Sequence, residues 1–348
     1  MKKTYGFGVI GLGMIADFHV KAIQSLPNAR FVAGFDMVPG RAEAFCALHG
    51  GTGYDDLNRF LQNPAVDVVT ITTPSGAHLE VALKAMQAGK QVLVEKPLEI
   101  TSERCDVMID MAARCKVSLG GIFQSRFFEA PQLVKHAIEE GRFGRLTLCD
   151  AQVKWFRSQE YYDAVKWHGT WKLDGGGALM NQAIHAVDLL QWLCGPVTEV
   201  FGYADTLAHQ RIEVEDTAVA ILRFQSGALG VIEGTTAAYP GFLKKIELCG
   251  SQGCATLEEE NLSCWQFSEE RPEDAHIRET YLAATETGGG AGDPKAIGFQ
   301  GHALVFADFL HALDSHTLPM ITGLEARKAV RIIEAIYQSA RVHAPVEV

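Results

Sequence analysis

The sequence predicts an α/β chain: a doubly wound parallel sheet over residues 1–122, then an α+β domain with a mostly antiparallel sheet over residues 123–348. Three observations carry this. From Tyr5 to Gly121, short apolar runs alternate with helical patterns through short connections, as parallel strands joined by crossover helices require. A glycine cluster lies between the first run and the first helix. After Phe123 the pattern changes to strand-length runs separated by turn signals such as Ser226-Gly227 and Ser251-Gln252-Gly253.

Composition bounds the possibilities. With 348 residues, 47% apolar and 21% charged, the chain is long enough for two domains and has the balance of a soluble globular protein. A net charge of −11 argues against nucleic acid and against anionic membrane surfaces. No apolar run approaches the roughly 20 residues of a membrane-spanning helix. The start, Met1 to Ile10, runs straight into a strand and leaves no room for a signal peptide. The eight cysteines form no Cys-x-x-Cys pair, and Cys46, Cys105 and Cys115 sit in helical patterns. They are expected to be reduced core residues in a cytoplasmic protein, with no disulfide frame and no metal site.

Tyr5–Ile10 is the first strand, and Gly11-Leu12-Gly13-Met14-Ile15-Ala16 follows it into a helix ending near Leu26. This is the G-x-G-x-x-G/A fingerprint between strand and helix. Gly11 allows the tight turn, Gly13 lets backbone approach a pyrophosphate, and Ala16 lets helix and strand pack closely. The loop, with Met14 and Ile15 opening the helix, presents free N–H groups to phosphate. Arg30–Phe35 is strand two, and Asp36 ends it about 20 residues after Ala16, where an acid bonds a ribose 2′-OH and repels a 2′-phosphate. NAD is therefore expected over NADP, with Arg41 close enough to soften the preference.

Val66–Thr72 is the next strand, broken by Thr73-Pro74-Ser75, and His78–Ala88 is a helix closed by Gly89. Gln91–Val94 is a buried strand that ends in Glu95-Lys96-Pro97. Thr101 or Ser102 caps a helix to about Lys116, and Val117–Gly121 is the last strand. In a parallel sheet these turns share the carboxyl rim where ligands bind. Thr73, Pro74, His78, Glu95 and Lys96 thus join the loop residues as candidate cofactor contacts, with Lys96 at the nicotinamide end. His19 and His78, in the first turns of their helices, are also fit for purely structural bonds.

In the second domain, Ala130–Glu140 is a helix. Strands follow at Leu146–Trp155, Val197–Ala204, Ala218–Phe224, Ala228–Thr235, Lys245–Gly250, Cys254–Glu258 and Leu262–Phe267. Roughly 268–298, with Gly288-Gly289-Gly290-Ala291-Gly292, is expected as a long loop, a lid or an arm onto another subunit. Helices at about His302–Ser315 and Leu324–Val342, the latter opened by the capping box Thr322 and Glu325, are expected to pack back towards the first domain. The richest stretch is Asp174-Gly175-Gly176-Gly177, after which a helix begins near Ala178. Asn181, His185 and Asp188, spaced i, i+4, i+7, form a polar stripe on a helix otherwise fit for burial. Three residues on one helical face lack the usual spacing of zinc ligands.

Taken together, Gly11-x-Gly13-x-x-Ala16, Glu95-Lys96-Pro97, and Gly175-Gly176-Gly177 leading to His185 and Asp188 resemble the Gfo/Idh/MocA family, the glucose–fructose oxidoreductase and inositol dehydrogenase relatives. The resemblance spans the chain and implies a Rossmann domain followed by a domain on a large open sheet that forms a homodimer or homotetramer interface. It implies hydride transfer at a carbinol carbon of a sugar, sugar acid or cyclitol, with the motif lysine at Lys96 and the helix histidine at His185. Many members carry Asp where this chain has Asn181. Met180 to His185, Tyr161-Tyr162-Asp163, Trp167 to Trp171 and Glu213 to Thr217 look more like the branch acting on nucleotide-linked amino-sugar uronates.

The expected mechanism places the substrate hydroxyl between Lys96, His185 and nicotinamide C4. Either His185 or a lysine of lowered pKa at Lys96 can take the proton, and Asp188 can orient the histidine. Arg126, Trp167 and Asn181 are the further candidate substrate contacts, with Gln124, Tyr161 and His168 behind them. Two other function classes compete: a redox-assisted lyase or glycosidase that recycles bound NAD, and a non-catalytic NAD-sensing protein.

Overall fold

The structure, a computed structural model, describes residues 3–282 and 298–348. The chain forms two compact units: Met1–Gln124 with Gly298–Arg327, and Ser125–Ile297 with Lys328–Val348.

The first unit holds six strands: β1 (Tyr5–Ile10), β2 (Ala29–Phe35), β3 (Thr52–Tyr54), β4 (Val68–Ile71), β5 (Gln91–Val94) and β6 (Leu119–Gly121). Their order is β3-β2-β1-β4-β5-β6, and every pair is parallel. β1 and β4 are buried along their whole length, as central parallel strands covered on both faces must be. The order reverses between β1 and β4, and the crevice at their carboxyl ends is the switch point where such sheets bind ligands. Thr101 accepts the Arg104 N–H at 3.2 Å and caps the Ser102–Cys115 helix. The helix Gln300–Ser315 packs on Met14–Ser25, and its Phe306 stacks on Phe7 of β1 at 5.5 Å. The segment Gly298–Arg327 thus completes the first unit, although a sequence boundary at residue 122 leaves it outside.

The second unit is built on eight strands: β7 (Leu146–Lys154), β8 (Val197–Asp205), β9 (Thr217–Phe224), β10 (Leu229–Thr235), β11 (Lys245–Gly250), β12 (Gly253–Glu258), β13 (Asn261–Phe267) and β14 (Val346–Glu347). Their order is β13-β12-β11-β7-β10-β9-β8-β14. β7 and β10 run parallel at its centre; the other pairs are antiparallel. One face of β9 is buried and the other exposed, in strict alternation.

Two local expectations are corrected. Within the stretch read as a long loop, Pro272–Tyr281 is a helix with proline in its first turn and Glu273 and Asp274 beside its positive end. Buried Asp274 accepts both Arg142 nitrogens, at 2.8 and 2.6 Å, and the Trp265 indole at 2.7 Å, which anchors this polar helix to the sheet. The glycine run Gly288–Gly292 lies outside the described residues. The helix expected from Ala178 opens instead as a π-helix over Ala178–Ala183 and becomes α only over Ile184–Cys194. Its wider first turn breaks the 3.6-residue period on which the Asn181, His185 and Asp188 stripe rested. Among the described residues no helix is long and apolar enough to cross a membrane.

Candidate active site

In the first unit, the loop after β1 has the shape a dinucleotide needs. Gly11 has φ +89°, and a Cβ there would lie 2.8 Å from the Thr73 nitrogen. A Cβ on Gly13 would meet nothing within 4 Å, so the backbone at the helix entrance borders open space. Met14 beside it is 50% exposed. Thr72 donates its hydroxyl to the Gly11 carbonyl at 2.5 Å and ties this loop to the Thr73-Pro74 turn. Buried Asp36 accepts the Leu12 N–H at 2.9 Å and the Val38 N–H at 2.8 Å, with the Arg41 guanidinium 3.4 Å away. The carboxylate at the end of β2 therefore fixes the glycine loop and presents negative charge beside it. Room at Gly13, free N–H groups and this acid fit an NAD pyrophosphate and ribose.

Lys96 is half-buried at the end of β5, and its bond to Pro97 is cis. Two of its neighbours depart from expectation. His78 sets its Nδ1 3.0 Å from the Pro97 carbonyl and its Nε2 3.0 Å from the Thr73 carbonyl. It is buried and joins the two rim turns, so its nitrogens are spent on backbone rather than on cofactor. Glu95 turns inward as well. One carboxylate oxygen lies 2.8 Å from His19 Nε2 and 3.1 Å from His302 Nε2, and the other accepts the Lys96 N–H at 3.0 Å. Burial opposes the charge, yet the bonds from His19 and His302 win and hold the Glu95 carboxyl well below its ordinary value. Burial also lowers the pKa of His19. His19 bonds Thr70 through Nδ1 at 2.9 Å. Among the described residues this trio is the one cluster of metal-type side chains, and its 2.8 and 3.1 Å spacings are those of hydrogen bonds.

In the second unit, every residue from Asp174 to Gln191 is buried except Asn181 and His185, which are partly exposed. These two positions alone open this long helical stretch to solvent. Asn181 donates to buried Asp174 at 2.6 Å and accepts from Gln182 at 3.0 Å. Asp188 receives Arg126 Nε at 2.8 Å and Nη2 at 2.5 Å in a fully buried pair. Arg126 is 1% exposed and is thereby tied into the interior of this unit. Trp167 is half-buried and meets His168 edge-on at 4.3 Å, and His168 stacks on Tyr161.

Sequence reasoning missed four groups here. Asp174 opens the glycine stretch, and no local pattern links its carboxylate to the Asn181 amide. Buried Arg157 donates to Gln182 at 2.8 Å and lies over the Trp155 ring. Buried Glu215 accepts the Gly177 N–H at 2.9 Å, the Leu179 N–H at 2.8 Å and the Tyr337 hydroxyl at 2.8 Å, and so anchors the start of the π-helix. Burial pushes its carboxyl up to about 7 against the pull of these donors. His302 is the fourth; a single histidine in an apolar helix carries no signal of a partner some two hundred residues away.

Comparison with known proteins places this arrangement. Residues 5–121 match the oxidoreductase family with an NAD-binding Rossmann fold, and residues 132–256 match the GFO/IDH/MocA C-terminal domain. Myo-inositol 2-dehydrogenase of Thermotoga maritima is 30% identical, over 71% of this chain and 73% of its own. The WlbA dehydrogenase of Bordetella pertussis, solved with NADH and UDP-GlcNAcA, is 36% identical with a TM-score of 0.88, over 99% of each chain. Its Chromobacterium violaceum counterpart, solved with the same two ligands, is 33% identical with a TM-score of 0.89, over 100% of this chain and 97% of its own. The chain belongs to the Gfo/Idh/MocA family of NAD-binding oxidoreductases.

Proposed function

We propose that this protein is an NAD-dependent dehydrogenase that oxidises a carbinol carbon of a nucleotide-linked sugar acid of the UDP-GlcNAcA type. The observation that carries the reading is the 36% identity, over 99% of each chain, to a dehydrogenase solved with that sugar nucleotide. Buried Arg157 beside Gln182 supports an acidic substrate, since it brings positive charge next to Asn181. Bound NAD supplies the hydride acceptor at nicotinamide C4. The protein's own task is to hold the hydroxyl and remove its proton as the hydride leaves. Lys96, at the rim of the first sheet, is assigned to polarise the developing oxyanion. His185, partly exposed on an otherwise buried helix, is assigned as the general base, its ordinary pKa near 6.5 suiting neutral pH. Asn181 is assigned to a substrate hydroxyl, with Asp174 fixing its amide. The eight free cysteines support a reducing, cytoplasmic setting.

The test is NAD reduction against a panel of UDP-sugar acids, free sugars and cyclitols. Net NADH with UDP-GlcNAcA and none with inositol is the expected result; activity only on cyclitols would replace the substrate. Cleavage without net NADH would point to redox-assisted elimination, and binding without turnover to a sensor. Lys96→Ala and His185→Ala should each lower turnover by about two orders of magnitude while NAD still binds.

A further inference from the structure

Glu95 precedes Lys96 and is buried, yet it accepts three hydrogen bonds. Two come from histidines of different helices, His19 on Met14–Ser25 and His302 on Gln300–Ser315. The third comes from the Lys96 N–H itself. Thr70 of β4 bonds the far nitrogen of His19, which selects its role: the threonine hydroxyl donates to Nδ1, and Nε2–H donates to Glu95. The His302 ring lies 5.0 Å from the His19 ring, and its Nδ1 has no hydrogen-bond partner among the described residues. Its one bond therefore goes to Glu95. The titratable groups facing the Glu95 carboxylate are thus His19 and His302, with Lys96 adjacent in the chain. One glutamate oxygen is spent on two imidazoles from behind, and the other holds the backbone of the lysine in front.

We propose that His302 and His19 are positioning residues for Lys96: through the Glu95 carboxylate they fix the backbone from which the lysine reaches the reacting oxygen. The proposal rests on the reading of Lys96 as a catalytic group. Loosening such a support costs turnover more than it costs binding, because alignment matters most in the transition state. It also makes the glutamate easier to protonate, since each imidazole N–H stabilises its charge.

The test compares His302→Phe, which keeps a ring beside His19, with His302→Gln, whose amide N–H can still donate to Glu95. In the full-length protein, His302→Phe is expected to lower kcat by about tenfold or more with KM for NAD unchanged, and to move the acid limb of the kcat profile to higher pH. His302→Gln is expected to recover most of both. Nitrogen-15 spectra of the unmodified protein should show His19 as a neutral ring protonated at Nε2, with a hydrogen-bonded Nε2 proton on His302. Wild-type kcat and pH profile in His302→Phe, alongside a dead Lys96→Ala, would overturn the proposal and leave the lysine's role intact. Near-normal turnover in Lys96→Ala would instead remove that role, and this proposal with it. Stoichiometric metal in the purified protein, lost in both His302 variants, would overturn it in favour of a metal centre. A His302→Phe that does not fold leaves the decision to His302→Leu: a kcat lowered by about tenfold with the acid limb moved to higher pH supports the proposal, and wild-type values overturn it.

Discussion

Asn181 donates its amide to the carboxylate of Asp174 at 2.6 Å, and only the asparagine of the two reaches solvent. Asn181→Asp would set two carboxylates against each other, and one would hold a proton well above the ordinary range. The folded variant would then bind a proton that the unfolded chain releases. Its stability relative to wild type should fall as pH rises from about 5 to about 8. Urea unfolding across that range checks this; a pH-independent difference would show that the carboxylates do not meet.

Arg126 and Asp188 form a bidentate pair, each 1% exposed. Asp188→Ala strands a buried guanidinium and should cost about 3–5 kcal/mol, with Asp188→Asn costing less. Denaturant unfolding measures it. Should Asp188 instead serve His185, the alanine variant would keep its stability and lose turnover.

Glu215 gives a pH effect of defined sign. Its folded-state pKa of about 7 lies above the ordinary carboxyl value. Such a group contributes stability that is full below its unfolded pKa and lost as pH rises through about 7. The shift corresponds to roughly 3 kcal/mol at most. Glu215→Gln should therefore remove a downward slope in unfolding free energy between about pH 5 and about pH 8. An unchanged slope would assign it to other groups.

The open face of the large sheet carries an apolar stripe. Ile221 is 58% exposed, Val219 46% and Tyr203 63%, and these lie side by side through the β8–β9 pairing, with Leu229 and Leu148 aligned across β10 and β7. The homodimer or homotetramer interface that the family resemblance implies would bury this stripe. Ile221→Lys should reduce the mass seen by light scattering to that of one chain; an unchanged mass would move the interface elsewhere.

The parts of the chain legible in advance were those whose signals are local. Gly11, Gly13 and Asp36 announce themselves by spacing, and the six parallel strands by apolar runs. Asn181 and His185 stand out as polar groups among Leu179, Ile184 and Val187. Pairings were not legible. Nothing in the sequence says that Asp188 belongs to Arg126, Glu95 to His302, or Glu215 to the N–H groups of Gly177 and Leu179. Each such bond joins segments far apart in sequence, and the same side chains would read equally well as ligand contacts. The π-turn escaped for a related reason: residues at its positions look like those of any helix, and the buried glutamate that accepts its first N–H groups comes from far along the chain.

The first unit is made of two separated chain segments, and the second supplies Phe306 against Phe7 and His302 against Glu95. On the ribosome, the segment up to Gln124 emerges first but cannot finish its core then. It must wait until residue 327 has been made, with the whole strand-rich middle of the chain synthesised in between. A chain truncated before Gly298 would therefore lose its dinucleotide-binding unit as a stable body, although every residue of the glycine loop is still present.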